Sequence, residues 1–126
     1  MERSLQKVIF DSSFLMAVAE TPTTWFEDTV EIVGGFRPIL LGCVKSELES
    51  LASEGGSRAR NARVALELSS KFSPERCGDA KVDDEIVSAA RTLGGVVATV
   101  DSELLASLKA ARVRAISLGG GRVRLV

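Results

Sequence analysis

The stretch that decides the fold is Lys7-Val8-Ile9-Phe10-Asp11-Ser12-Ser13. Three consecutive large apolar residues are typical of a strand buried on both faces of a parallel sheet, and here the run stops at a carboxylate. Open α/β sheets bind their ligands beyond the carboxyl ends of their strands. We therefore expect Asp11 to lie on the floor of the functional site, with other residues converging on it.

The overall composition narrows the class of protein. For 126 residues with a net charge of −1, we expect one domain over residues 1–126 that does not bind nucleic acid by bulk charge. No apolar run is long enough to span a membrane and no signal-peptide pattern is visible, so we expect a cytoplasmic protein without a membrane partner. The absence of histidine excludes Ser-His-Asp and Cys-His mechanisms and His-ligated zinc. Cys43 and Cys77 are too far apart for a CxxC metal site and are expected to be reduced and buried.

Charge is unevenly distributed along the chain. Residues 106–126 contain five basic residues and no acid, whereas acids crowd the segment before them. This asymmetry predicts an acidic pocket beside a basic flank. The basic residues are Lys109, Arg112, Arg114, Arg122 and Arg124.

Buried strands alternate with amphipathic helices. Besides the first strand, strands are predicted over residues 37–41, 96–100 and 113–118, with an edge strand over 122–126 and a short strand within 73–81. Helices are predicted over residues 12–20, 43–53, 58–72, 82–93 and 102–111, and one more is expected to start at Thr21-Pro22 and end at Gly34-Gly35. This alternation predicts an α/β fold with a mostly parallel central sheet and helices on both faces.

Acids recur where such a sheet would bring them together. Asp11 and Asp101 each follow a predicted strand, and Glu47 lies beside the apolar stripe of the next helix. Of the pair that opens the helix over residues 82–93, Asp83 falls on the flank of the buried face and Asp84 points away, at about 100° per residue. We therefore rank Asp83 above Asp84 as the inward-facing carboxylate.

Several carboxylates in one pocket repel one another, and a hard divalent cation removes that conflict. Mg²⁺ or Mn²⁺ prefers carboxylate oxygens and can activate water for attack on a phosphodiester. Each acid taken alone also has a simpler interpretation. Asp83, Asp84 and Asp101 could cap helices, and Glu47 could be a surface residue. The combination of two strand-end acids with two helix acids favours the metal site.

The helix over residues 58–72 has a charged face opposite its apolar stripe. Arg63–Glu67 and Glu67–Lys71 are spaced for ion pairs, so we favour a solvated face there. The alternative is that Arg60 and Arg63 contact an RNA backbone.

Four segments together resemble the acidic motifs of the PIN domain, a family of metal-dependent ribonucleases. They are VIFDSS, VKSELESL, VDDEIVSAA and VVATVDSEL, in that order from Val8 onwards. The resemblance implies a three-layer α/β fold and a metal site formed by Asp11, Glu47, Asp83 and Asp101, with Asp84 as an alternate ligand. Ser12 and Thr99 fall where the family often has a hydroxyl that supports the metal-bound acids.

The resemblance also implies an activity and partners. It points to a Mg²⁺- or Mn²⁺-dependent endoribonuclease acting on single-stranded or structured RNA, and to a homodimer. VATVDSELLASLK followed by VRAISL looks most like the branch that processes ribosomal RNA, which would imply a ribosome-assembly partner. Toxin ribonucleases, which need a separate antitoxin, are the second choice, and a catalytically weak RNA-binding module is the third. A receiver domain is disfavoured because the first predicted strand ends in a single Asp and no Lys follows Asp101 as that fold requires. An Asp-x-Asp phosphatase is disfavoured because Asp11 is followed by Ser12 and Ser13.

Overall fold

The structure is a computed structural model that describes residues 5–21 and 23–126. In that part of the chain six strands and six helices form. The strands are β1 Gln6–Phe10, β2 Phe36–Leu41, β3 Ser73–Glu75, β4 Val96–Ala98, β5 Ala115–Gly119 and β6 Arg122–Leu125. The helices are α1 Ser12–Glu20, α2 Trp25–Val33, α3 Gly42–Ala52, α4 Gly56–Leu68, α5 Val82–Leu93 and α6 Ser102–Ala110. None of these described helices combines the length and the apolar character needed to cross a membrane.

The strands form one sheet in the order β3-β2-β1-β4-β5-β6. All neighbouring pairs are parallel except β5 and β6, where β6 is an antiparallel edge strand. The central strand β1 places Ile9 opposite Ile39 of β2 and Val97 of β4, and the side chains of Val8, Ile9 and Phe10 are fully buried. The predicted mostly parallel α/β fold is confirmed, and the apolar run in β1 lies at its centre as its composition requires.

The course of the chain creates a crevice beside β1. From β1 the chain moves outward to β2 and β3, and then returns across the sheet to β4 on the other side of β1. Helices α1, α3 and α4 contact one another, and α5 contacts α6, which gives a helical layer on each face of the sheet. The strand order thus reverses between β1 and β4, and this is the position where open α/β sheets bind ligands.

Two element boundaries differ from the sequence-based prediction, because side-chain hydroxyls compete for backbone hydrogen bonds at the ends of α4 and β4. Helix α4 ends at Leu68 rather than continuing to Phe72, since the hydroxyls of Ser69 and Ser70 donate back to carbonyls of the last turn. Strand β4 ends at Ala98, two residues early. The backbone N–H of Thr99 still bonds to the carbonyl of Ile116 in β5, but those of Val100 and Asp101 bond to side-chain hydroxyls instead.

The second helix also starts later than predicted. Helix α2 begins at Trp25, so Thr21 does not cap it. Pro22, the predicted first helical residue, lies outside the described residues. At the other end, Gly34 takes a positive φ of 82° and stops the helix, as predicted.

Helix α2 is tied to the edge strand β6 through one buried carboxylate. Asp28 accepts both Nε (2.9 Å) and Nη2 (3.0 Å) of Arg122, together with the backbone N–H of Val123 (3.1 Å) and the hydroxyl of Thr24 (3.1 Å). The hydrogen bond from Arg122 is the main reason that the pKa of Asp28 falls to about 2. Asp28 and Arg122 form the ion pair found among the described residues. The pairs that helical spacing allows, Arg63–Glu67 and Glu67–Lys71, do not form.

The expectation that the cysteines are reduced and buried is wrong. Cys43 and Cys77 form a disulfide with a Cα–Cα distance of 5.8 Å, and both residues are only partly buried. The 34 residues between them hide their proximity in the sequence. Because β2 and β3 are parallel neighbours, Cys43 at the start of α3 and Cys77 just after β3 emerge side by side at the carboxyl edge of the sheet.

Candidate active site

A cleft of about 580 Å³ opens at the carboxyl edge of the sheet, over the crevice between β1 and β4. The predicted acids from four different elements line it: Asp11, Glu47, Asp83 and Asp101. Neighbouring polar side chains line it as well, namely Ser12, Ser13, Glu20, Ser57, Arg58 and Asn61. The topology therefore brings together acids that are spread over ninety residues of sequence.

Asp11 is held in place by two hydroxyl groups. It is buried, and its Oδ2 accepts the hydroxyls of Ser13 at 2.6 Å and Thr99 at 2.8 Å. In turn, the Ser13 hydroxyl accepts the backbone N–H of Val100 at 3.1 Å, and the fully buried Thr99 hydroxyl accepts that of Asp101 at 3.0 Å. The network orients one carboxylate oxygen of Asp11, and it joins the end of β1 to the segment that follows β4.

Ser12 and Ser13 have different partners. The Ser12 hydroxyl donates to Oε1 of Glu47 at 2.7 Å, so it connects the start of α1 to the first half of α3. Sequence reasoning singled out Ser12 and overlooked Ser13, although Ser13 is the serine that contacts Asp11 directly. Its position two residues after the strand-end acid is the signal that could have identified it.

Asp101 is both a cleft residue and a helix cap. Its Oδ1 accepts the backbone N–H groups of Glu103 (2.8 Å) and Leu104 (3.1 Å) at the start of α6. Since β4 ends at Ala98, Asp101 lies three residues beyond the strand rather than directly at its end. Asp101 can therefore cap α6 and also serve in the cleft, because capping uses only Oδ1 and leaves Oδ2 for a second partner.

Asp83 and Asp84 separate as the helical rotation predicted. Asp83 is partly buried in the cleft, whereas Asp84 is exposed and lines a different depression with Arg91. Burial raises the pKa of Asp83 above its ordinary value of 3.8, and the negative charges of Asp11, Asp101, Glu47 and Asp84 raise it further. The carboxylates that line the cleft therefore make it unfavourable for a further negative charge.

The donor chemistry of this cleft fits a hard divalent cation. Hydrogen bonds occupy one oxygen each of Asp11, Glu47 and Asp101, and no hydrogen bond from a described residue reaches the other oxygen. Among residues 5–21 and 23–126, no three metal-binding side chains lie close enough together to coordinate one ion. Repulsion between like charges keeps carboxylates apart, and a cation between them would favour their approach.

The basic residues of α4 lie on different sides of the helix. Arg60 and Arg63 are exposed and do not line the cleft, and Arg63 donates to the carbonyl of Ala52 at the end of α3. Instead Arg58 and Asn61 line it. Together with the buried Ala62 and Ala65 they follow the spacing i, i+3, i+4, i+7, which places them beside the apolar stripe of α4, and this signal could have found them.

Comparisons with known proteins agree with this architecture. A family model described as a PIN like domain matches residues 8–121. The structure of the PIN domain endonuclease Utp24 is similar with a TM-score of 0.72 and 25% identity, covering 94% of this chain and 90% of that chain. A domain of a functionally unknown protein from Methanocaldococcus jannaschii DSM 2661 is similar with a TM-score of 0.65 and 22% identity, covering 96% and 98%.

A more distant similarity concerns the fold alone. A T5 5′-exonuclease mutant matches with a TM-score of 0.56 and 14% identity, over 95% of this chain and 53% of that chain. A comparison with curated proteins finds no match.

Proposed function

The chain belongs to the PIN-like domain family, and from this premise we propose that it is a divalent-metal-dependent endonuclease that hydrolyses phosphodiester bonds of RNA. One observation carries the proposal. Four carboxylates from four elements line one cleft, and three of them have one oxygen engaged by hydrogen bonds and the other without such a partner. An RNA backbone carries negative charge, so an acidic cleft suits it only together with cations.

Each residue of the cleft has a role in this proposal. Asp11, Glu47, Asp83 and Asp101 would hold Mg²⁺ or Mn²⁺, and Asp84 is at most an alternate ligand because it faces away from the cleft. When bound, the metal supplies an activated water and stabilises the charge that develops on the phosphate. Thr99 and Ser13 orient Asp11, and Ser12 orients Glu47. Such pre-oriented carboxylates require little reorganisation when a cation binds.

The similarity to the PIN domain endonuclease Utp24 supports cleavage within an RNA strand rather than from its ends. The finer assignment, processing of ribosomal RNA, rests on the resemblance of the segment around Asp101 and β5 to that branch of the family. A ribosome-assembly partner belongs to the same proposal.

The experiment is cleavage of a circular and a linear RNA by the purified chain, with Mn²⁺, with Mg²⁺ and with a chelator. We expect metal-dependent cleavage of both RNAs, because a circular substrate has no end from which to start. Asp101→Asn should abolish cleavage, and since asparagine also caps helices well, the helix start should survive.

Two matched pairs on single helices serve as controls. Glu47→Gln should abolish cleavage and Glu49→Gln should not, because Glu49 is exposed on α3 and does not line the cleft. Likewise, Asp83→Asn should reduce cleavage far more than Asp84→Asn. If the wild-type chain binds RNA but never cleaves it with either metal, the chain is a binding module and the nuclease proposal is wrong.

A further inference from the structure

The acidic cleft contains one basic side chain among the described residues that line it, that of Arg58 in the first turn of α4. Its surroundings include five acids of the same cleft: Asp11, Glu20, Glu47, Asp83 and Asp101. An arginine among so many carboxylates would be expected to form an ion pair. Within the described part of the chain, however, no carboxylate lies within 4.0 Å of its guanidinium group.

Asn61 lies beside Arg58 and is likewise available. The two residues are three positions apart on α4, so their side chains are neighbours on the helix surface. Ala62 and Ala65 are buried and follow Arg58 by four and seven positions, so Arg58 and Asn61 lie at the edge of the packed face of α4. No hydrogen bond from a described residue reaches either polar side chain, so a guanidinium and an amide face the cleft without a structural task there.

The helical rotation explains why this pair, and not its neighbours, is suited to a ligand in the cleft. Arg60 follows Arg58 by two residues, or about 200° around the helix, and so it points away. Arg63 is engaged with the carbonyl oxygen of Ala52 at 3.0 Å. Of the basic residues on α4, Arg58 alone lines the cleft among the described side chains.

We propose that Arg58 and Asn61 bind a backbone phosphate of the RNA strand and so position it against the acids. This rests on the nuclease function proposed above. The planar guanidinium offers a two-pronged donor that matches phosphate oxygens, and the amide N–H₂ of Asn61 adds a further donor. Phosphate contacts fix the register of a strand without reading its bases, so the pair confers position and not sequence preference.

The test measures binding separately from cleavage. A short fluorescent single-stranded RNA is titrated by anisotropy into chains that carry Asp101→Asn, which is expected to prevent turnover. Adding Arg58→Ala should weaken binding about tenfold, and Asn61→Ala about threefold, in line with the loss of a charged and a neutral hydrogen bond. With Arg58→Ala, the slope of log affinity against log salt should become shallower by about 0.7, the value for one phosphate contact on a single strand.

Arg37→Ala is the matched control, because Arg37 is exposed in β2 near its amino end, at the opposite edge of the sheet from the cleft. It should change neither the affinity nor the salt slope. Arg58→Gln is a second variant in case the alanine variant loses stability, which a thermal melt would reveal. Arg58→Lys should recover only part of the affinity, since an ammonium group cannot form the two-pronged contact.

Kinetics on the otherwise unmodified chain complete the test. In Arg58→Ala, KM should rise about tenfold with kcat unchanged, as expected when a contact is equally strong in the ground and transition states. If Arg58→Ala behaves like Arg37→Ala, or if Arg60→Ala produces the loss instead, the inference is wrong while the nuclease function stands. If KM is unchanged and kcat falls, Arg58 does not bind the RNA strand in the enzyme–substrate complex, and the inference is equally wrong. If no variant cleaves RNA but Arg58→Ala still weakens binding, the phosphate contact stands and the nuclease function fails.

Discussion

Replacing Thr99 by valine should destabilise the protein, although the two side chains have nearly the same shape. Thr99 is fully buried, and its hydroxyl donates to Asp11 at 2.8 Å while accepting the backbone N–H of Asp101 at 3.0 Å. Valine removes both hydrogen bonds at once. The carboxylate of Asp11 then retains only the hydroxyl of Ser13, and the N–H of Asp101 loses its acceptor.

The magnitude follows from these two contacts. A hydrogen bond to a charged group contributes about 1.5–3 kcal/mol and a neutral one about 0.5–1.5 kcal/mol. The methyl group that valine adds returns about 0.8 kcal/mol through burial. The free energy of unfolding should therefore fall by about 1.2–3.7 kcal/mol. At roughly 4 °C per kcal/mol for a chain of this size, the melting temperature should fall by about 5–15 °C.

Thr99→Ser is the matched control for this change. Serine keeps the hydroxyl and loses only a methyl group, so it should cost about 1 kcal/mol. Urea unfolding of the two variants and the wild type in a chelator measures the difference in free energy, and calorimetry measures the melting temperatures. If valine is as stable as serine or more stable, the hydroxyl network does not stabilise the fold, and the argument that it orients Asp11 fails.

Four other outcomes are expected. The pKa of Asp83 is raised, so the protonated carboxyl favours the folded state, and this contribution is lost as the pH rises above 3.8. Without metal, Asp83→Asn should therefore be more stable than wild type at pH 7 in urea titrations. Equal stability of the two chains would contradict the raised pKa. The pKa of Asp28 is lowered to about 2, so the stability that its charged form contributes is fully present above pH 3.8 and is lost as the pH falls towards 2. Asp28→Asn should lower the melting temperature at pH 7 and make the melting temperature less sensitive to acid. An unchanged melting temperature would refute the role of the ion pair. Mn²⁺ at 100 times its dissociation constant should stabilise the chain by about 2.7 kcal/mol, and equal stabilisation of Asp11→Asn would place the ion elsewhere. The homodimer implied by the family resemblance would use the exposed apolar side chains of α2, Phe26 and Val30; light scattering should report a dimer that Val30→Glu dissociates, and a wild-type monomer at high micromolar concentration would exclude it.

Local patterns in the sequence were sufficient for much of the fold. The burial of β1 on both faces, with Asp11 at its carboxyl end, is predicted by its uninterrupted apolar run alone, because a strand buried on both faces must be apolar throughout. The bounds of α5 were predicted to the residue, since Gly94 supplies the left-handed conformation that ends the helix. The inward position of Asp83 followed from the helical period.

Contacts between distant residues were decided only by the tertiary structure. Whether Cys43 meets Cys77, or Asp28 meets Arg122, depends on which strands are neighbours, and that information is not contained in any short segment. The end of β4 and the partners of Asp11 depend on hydroxyls from two different elements, so local propensity could not reveal them. The same holds for Arg58: its charge is visible in the sequence, but only the packing of α4 against α1 and α3 turns it, rather than Arg60, towards the acids. Periodicity specifies which face of an element is buried, whereas the arrangement of the elements determines what the remaining faces meet.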